Sequence, residues 1–226
     1  MLKLNKNLLE RVRYEEASRS FYVFSREIFQ HHYQRDLVLK SFHVAIIGLL
    51  ELFVEKSLKR QIINTMPQVG KSEFISRLLP AFILGVNPNA KIIAVSYSQE
   101  LASNNNRDVQ KIMDSKIYKA IFPNTKLPSM KDQNYQRTSK QFDIVGYSGS
   151  YFATGIDGSI TGKSCDYLII DDIIKGFEDA ISELNRNKVW NFFISVANTR
   201  LDKDGSILIT MTRWHEDDLV GRLLKR

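Results

Sequence analysis

The chain has 226 residues, 43% of them hydrophobic, with one cysteine and a formal net charge of +7. That length suits a single α/β domain with a sizeable core and is too short for two large ones. The lone Cys165 excludes an internal disulfide framework and suits a reducing compartment, no apolar run is long enough for a bilayer, and MLKLNKNLLERVRYEE lacks a signal peptide's apolar core.

Residues 5–60 read as helices. Leu8, Val12, Ala17, Phe21, Phe24 and Ile28 make a loose helical stripe, and residues 38–59 make a longer amphipathic helix. Next come Gln61-Ile62-Ile63-Asn64-Thr65-Met66, a short buried strand, and then Pro67-Gln68-Val69-Gly70-Lys71-Ser72. This is the back half of the phosphate-loop pattern G-x-x-x-x-G-K-[ST], with Thr65 where the first glycine would stand. An isolated GKS is usually an ordinary turn. Here Phe74, Ile75, Leu78, Leu79, Phe82 and Ile83 come next at the spacing of one helical face. A strand, a tight turn and a helix aim backbone N–H groups and the positive helix end at one point, where a phosphate can sit. In such a site Lys71 reaches the outer phosphates and the Ser72 hydroxyl meets Mg²⁺.

Gly85 to Asn89 is a turn, residues 91–97 (KIIAVSY) a strand, and Ser98 caps a helix that reaches about residue 121 with a break near Asn104-Asn105-Asn106. Residues 122–138 are a polar loop, and residues 141–153 a strand pair. A second Gly162-Lys163-Ser164 precedes a strand rather than a helix, so its amides have no helix to open.

Tyr167-Leu168-Ile169-Ile170-Asp171-Asp172 reads as a central parallel strand ending in two carboxylates. Ligands sit at the carboxyl ends of such strands. Asp171 is then placed to hold Mg²⁺ and Asp172 to polarise an attacking water; the plainer alternative is an Asp-rich turn. A helix over residues 178–198 leads to the strand 206–212, which ends in Thr212 and Arg213. Those two could sense and stabilise a terminal phosphate, or Thr212 could cap a turn while Arg213 pairs with Asp217 or Asp218. His215 with Glu216, Asp217 and Asp218 fits a helix N-terminus better than a metal site. Strands alternating with helices imply a mainly parallel sheet covered on both faces.

Together INTMPQVGKSE, GIDGSITGKSCDYLIIDD and ANTRLDKDGSILITMTRWHEDDLVGRLL resemble the ATPase domain of the large terminase subunit, the DNA-packaging motor of tailed bacteriophages. The resemblance covers residues 42–226 and is most specific in TRWHEDDL. It implies a P-loop NTPase of residues 60–226 behind a helical lead-in, residues 1–59, without the nuclease domain of complete large terminases. It further implies ATP as substrate with Mg²⁺, Lys71 and Ser72 on the phosphates, Asp171 on the metal, Asp172 as water-activating residue and Thr212 in the motif coupling hydrolysis to movement. The implied partners are double-stranded DNA, the portal and procapsid, the small terminase subunit, and a homo-oligomeric ring of a chain that is monomeric alone, all in the host cytoplasm. Tyr33-Gln34-Arg35-Asp36 resembles the segment in which a Gln reads adenine, here Gln34, although an ordinary helix surface reads the same way. Relatives often carry an arginine within the phosphate loop, where this chain has Pro67-Gln68-Val69; the charge-stabilising arginine is then Arg200, Arg213 or a neighbour's. A helicase-like ATPase and a basic DNA-binding module with a vestigial nucleotide site are the competing readings.

Overall fold

A computed structural model of the chain describes residues 6–160 and 162–225. Its strands are the apolar runs that the sequence marks out: β1 (Arg60–Asn64), β2 (Lys91–Ser96), β3 (Gln141–Asp143), β4 (Ser150–Gly155), β5 (Cys165–Asp171) and β6 (Leu201–Met211). They form one sheet in the order β1-β6-β5-β2-β4-β3, parallel except where β3 meets β4. The middle of each inner strand is apolar because both faces are covered there, while polar residues such as Asp202 to Asp204 of β6 fall at strand ends. Ile92, Tyr167, Ile169 and Leu208 turn to one core; Ile93, Leu168, Ile170, Ile207 and Ile209 turn to the other.

The first core is closed by α2 (Phe21–His31), α3 (Ser41–Val54), α4 (Leu79–Val86), α5 (Gln99–Asp114) and α6 (Lys116–Ile121), the second by α8 (Glu183–Phe192) and α9 (Leu219–Leu224). A fully buried aromatic group, Phe21, Phe24 and Tyr118 with Phe82 beside them, ties the N-terminal helices to α4 and α6. Tyr118 also donates to the Ala81 carbonyl at 2.9 Å.

Several boundaries differ from expectation for local reasons. In α1 (Lys6–Ala17), Leu8 and Val12 are half exposed, so the buried stripe starts only at Ala17. The expected helix over 38–59 is shorter, because Lys40 is extended before α3 and Lys56, at φ 58°, turns the chain after it. No break occurs at Asn104 to Asn106; Asn105 and Asn106 face inward, and the helix stops at Ser115, which caps α6. The helix expected over 178–198 is split into α7 (Phe177–Ile181), α8, a π turn (Phe193–Ala197) and a 3₁₀ turn (Asn198–Arg200). Strand β6 starts five residues earlier than expected, and α9 begins at Leu219 with Asp218 as its cap.

Candidate functional site

The carboxyl ends of β1, β5 and β6 lie side by side, since Ile170 pairs with Ile209 and Asn64 with Met211. The turns leaving these three strands are therefore gathered at one edge of the sheet. After β1 the chain turns through Gln68 (φ 60°) and Gly70 (φ 79°). At Gly70 an added Cβ would find space, its nearest neighbour being His43 Nε2 at 4.0 Å, so the left-handed backbone rather than crowding calls for glycine. Lys71 and Ser72 open the helix, which passes through a π-helical stretch (Glu73–Leu78) into α4. His43 braces this turn. Its Nδ1 accepts from the Lys40 N–H at 3.0 Å, which leaves Nε2 as the donor to the Val69 carbonyl at 2.8 Å.

Lys71 is 5% exposed and points at both strand-end carboxylates. Its Nζ donates to Asp171 Oδ1 at 3.1 Å and to Asp172 Oδ1. Asp171 also accepts from Thr210 Oγ1 at 2.6 Å and from Ser76 Oγ. Asp172 sits one residue past the strand at φ 47°, a left-handed backbone that Asp tolerates better than most residues. Its N–H donates to the Thr210 carbonyl at 3.0 Å, and its own carbonyl accepts from the Tyr97 N–H at 3.1 Å. Burial, and then the neighbouring Asp171 charge, raise the Asp172 carboxyl pKa above its usual range against the opposing pull of Lys71.

Two cavities flank the turn. A cleft of about 460 Å³ is lined by Gly70, Lys71, Ser72, Asp172 and Thr212, with Pro67 and Gln68 at its rim. On the other side of Gly70, a cavity of about 400 Å³ lies between Phe29, Arg35, Asp36, His43, Val69 and Phe74. Glu73 lines both. Its carboxylate accepts from the Tyr33 hydroxyl and from Arg77 Nη1 at 2.9 Å, and burial together with that hydrogen bond drives the Tyr33 pKa far up.

Residues 62–222 match the family described as terminase large subunit, T4likevirus-type, N-terminal. The chain belongs to that family. Among curated proteins, the terminase large subunit of Enterobacteria phage T3 is 28% identical over 149 residues, covering 64% of this chain and 24% of that protein. Among solved structures, the HK97 bacteriophage large terminase aligns with a TM-score of 0.52 at 17% identity, over 84% of this chain and 37% of that one. The large terminase ATPase domain of Thermus phage P74-26 aligns at 0.41 and 20% identity, over 68% and 59%. The HK97 likeness shows a shared fold. This chain spans about a quarter of the T3 protein's length and little more than a third of the HK97 chain.

In this terminase chain the structure brings Lys71, Ser72, Asp172 and Thr212 together, with Asp171 buried behind Lys71. Three expected residues stand elsewhere. Arg213 turns away from the cleft, and its Nε donates to Asp218 Oδ2 at 2.6 Å. Arg200 ends the 3₁₀ turn at the start of β6, so the 11 residues of that strand, roughly 35 Å at about 3.3 Å each, separate it from the carboxyl edge. Neither lines the cleft. Gln34 is exposed in a left-handed turn (φ 54°) and does not line the cavity that its neighbours Arg35 and Asp36 help to form. The second GKS lies at the opposite sheet edge, where Lys163 Nζ donates to Gln141 at 2.7 Å and stacks over Phe152.

Sequence reasoning missed His43, Ser76 and Arg77. Arg77 lines the cleft, held by Glu73 and by Asp108, whose Oδ2 is 3.2 Å from its Nε. Its spacing of four residues from Glu73 on the helix after the GKS was the available signal.

Proposed function

We propose that this chain is a DNA-packaging motor module that binds Mg·ATP and hydrolyses it in line through water. The observation that carries the reading is the meeting of Lys71, Asp171 and Asp172 at the mouth of a Gly70 turn that opens a helix. The triphosphate lies across the turn, its outer phosphates taking the Lys71 ammonium. The base lies in the cavity beyond Gly70, against Phe29 and Phe74 and beside Arg35 and Asp36, in place of the Gln34 contact expected from the sequence.

The donor set fits magnesium. Asp171 and Ser72 offer hard oxygen ligands, and among the described residues no group of three or more His, Cys, Asp or Glu forms a cage. Mg²⁺ is ordinarily held by one or two carboxylates together with phosphates and retained waters. When bound, the ion supplies charge neutralisation on the phosphate oxygens. Asp172 accepts the proton of the attacking water, and its raised pKa brings it closer to a working general base. Thr212, at the same cleft, reports the terminal phosphate to β6 and onward to the DNA-moving parts.

The whole machine is a homo-oligomeric ring on a portal, working with a small terminase subunit on double-stranded DNA and a procapsid. That setting is cytoplasmic, and no described helix is long and apolar enough to cross a membrane. The test is ATP hydrolysis by this chain with and without Mg²⁺, duplex DNA and portal-bearing procapsids. Stimulation by DNA and procapsid together is expected. Absence of Mg-dependent phosphate release in a folded chain under every one of these conditions would sink the reading, and stimulation by DNA alone with strand unwinding would move it to a helicase-like ATPase.

A further inference from the structure

Asp171 is held by more than its lysine. Oδ1 accepts from Lys71 Nζ at 3.1 Å and from Thr210 Oγ1 at 2.6 Å, while Oδ2 accepts from Ser76 Oγ. All four side chains are buried, Thr210 completely. The donors come from separate places in the chain. Thr210 is the register partner of Asp171 across the β5–β6 ladder, so sheet pairing alone sets them side by side. Ser76 lies in the π-helical stretch, one turn beyond Ser72. A helical serine often returns its hydroxyl to the carbonyl one turn back. Ser76 donates across to the carboxylate instead.

We propose that Ser76 and Thr210 form a hydroxyl clamp that fixes the Asp171 carboxylate for the metal independently of Lys71. This rests on the proposed Mg·ATP site, in which Asp171 faces Mg²⁺ and Lys71 faces phosphate. As Lys71 turns to an anionic phosphate, one of the three donors leaves Asp171. The two hydroxyls remain. Being neutral, they orient the carboxylate without competing with a cation for its charge, as a second ammonium would. Hydrogen bonds of this kind around a ligating carboxylate typically change metal affinity by about 10–100-fold when removed. Ser76 and Thr210 are thus positioning residues, and neither lines the cleft.

The test is a Mn²⁺ titration followed by electron paramagnetic resonance, on the full chain with a non-hydrolysable ATP analogue. Thr210→Val keeps the side-chain shape, and Ser76→Ala places a strong helix former in a helical stretch; thermal melts check that both fold. Each variant is expected to raise the Mn²⁺ Kd by about 10–100-fold, with Thr210→Ser restoring it. Affinity for the analogue without metal, read with a fluorescent derivative, should stay at the wild-type value. Unchanged Mn²⁺ affinity in folded variants overturns the clamp, and so does a parallel loss of metal-free affinity, which marks a merely structural role. A wild-type chain that binds the analogue without any Mn²⁺ dependence removes the metal role of Asp171 itself, and the clamp with it.

Discussion

Arg213 and Asp218 lock one another. Arg213 Nε donates to Asp218 Oδ2 at 2.6 Å, and the other oxygen of Asp218 accepts from the Gly221 N–H at 2.8 Å, capping α9. Asp218 is fully buried, while the Arg213 side chain is one-third exposed. Removing one member of a buried pair leaves the other charge uncompensated, at about 3–5 kcal/mol. Exposure of the arginine puts Arg213→Ala below that, at about 2 kcal/mol. The variant should lose stability in urea unfolding yet keep its ATPase rate per folded chain. A collapsed rate at unchanged stability would return Arg213 to the cleft chemistry.

Lys71→Ala should act twice. It removes a charge-assisted contact to the outer phosphates worth about 1.5–3 kcal/mol, or roughly 10–150-fold in ATP affinity. It also leaves Asp171 and Asp172 facing one another without their shared cation, which should raise the pKa of Asp172 further. Calorimetry on the folded variant checks the first effect, and unchanged affinity would remove this turn from nucleotide binding.

The two carboxylates should separate. Asp172→Asn is expected to keep Mg·ATP bound and abolish turnover, whereas Asp171→Asn weakens the hold on the metal. The pH dependence comes from the raised pKa of Asp172, whose ionised form is the base. The acid limb of the ATPase profile should therefore lie above the usual carboxylate range, with the rate rising as pH rises through it. For stability the sign is opposite: a pKa raised by folding favours the native state below the unfolded value, and this contribution is lost as pH rises through the folded one. A wild-type rate in Asp172→Asn would end its assignment as base.

Much of this site could be read in the sequence because the inner strands β5 and β6 run apolar up to their carboxyl ends, where Asp171-Asp172 and Thr212 stand. β1 is an edge strand with alternating burial rather than the buried strand expected, and parallel pairing with β6 brings its GKS turn to the same edge. Ser76, His43 and Arg77 were hidden for the converse reason. Ser76 meets Asp171 across 95 positions and His43 meets Val69 across 26, so only packing reveals them. Arg213 was legible as a pair of alternatives, and the structure pairs it with the buried Asp218. Asn104 to Asn106 misled because polar residues read as a break, although Asn106 is fully buried and its Oδ1 accepts from Gln110 at 2.5 Å within an unbroken helix.

Acid sensitivity should trace in part to Asp217. Its hydrogen bond to Arg222, with a second to Arg186, lowers its pKa to about 2. The unfolded carboxyl titrates near 3.9, so the native state is favoured above that value, and the contribution is lost as pH falls from about 4 to 2. Asp217→Asn should flatten the stability–pH curve in that window and leave it unchanged near pH 7 apart from a constant offset. Parallel curves through the acid range would show that Asp217 is uncoupled from folding.

Turnover should depend on assembly. Phosphoryl transfer is catalysed mainly by positioning and by neutralising charge on the transferring group, and a well-placed arginine contributes about 10³–10⁵ in rate. The turn carries Pro67-Gln68-Val69 in place of an arginine, Arg200 lies at the far end of β6, and Arg213 is held by Asp218. Arg77 does line the cleft, but Glu73 and Asp108 hold its guanidinium and match its charge. Lys175 also lines the cleft but offers a point charge rather than a guanidinium fork, so the missing arginine is expected from a neighbouring copy, and ATPase activity per chain should rise steeply with concentration. Steady-state rates across a wide dilution series, with the oligomeric state followed by light scattering, check this. A rate that is already high and flat in verified monomer would place the cation in cis, and Arg77→Gln would then be the variant to lose it. If Arg77→Gln keeps the rising concentration dependence and its full plateau, the neighbour alone supplies the charge.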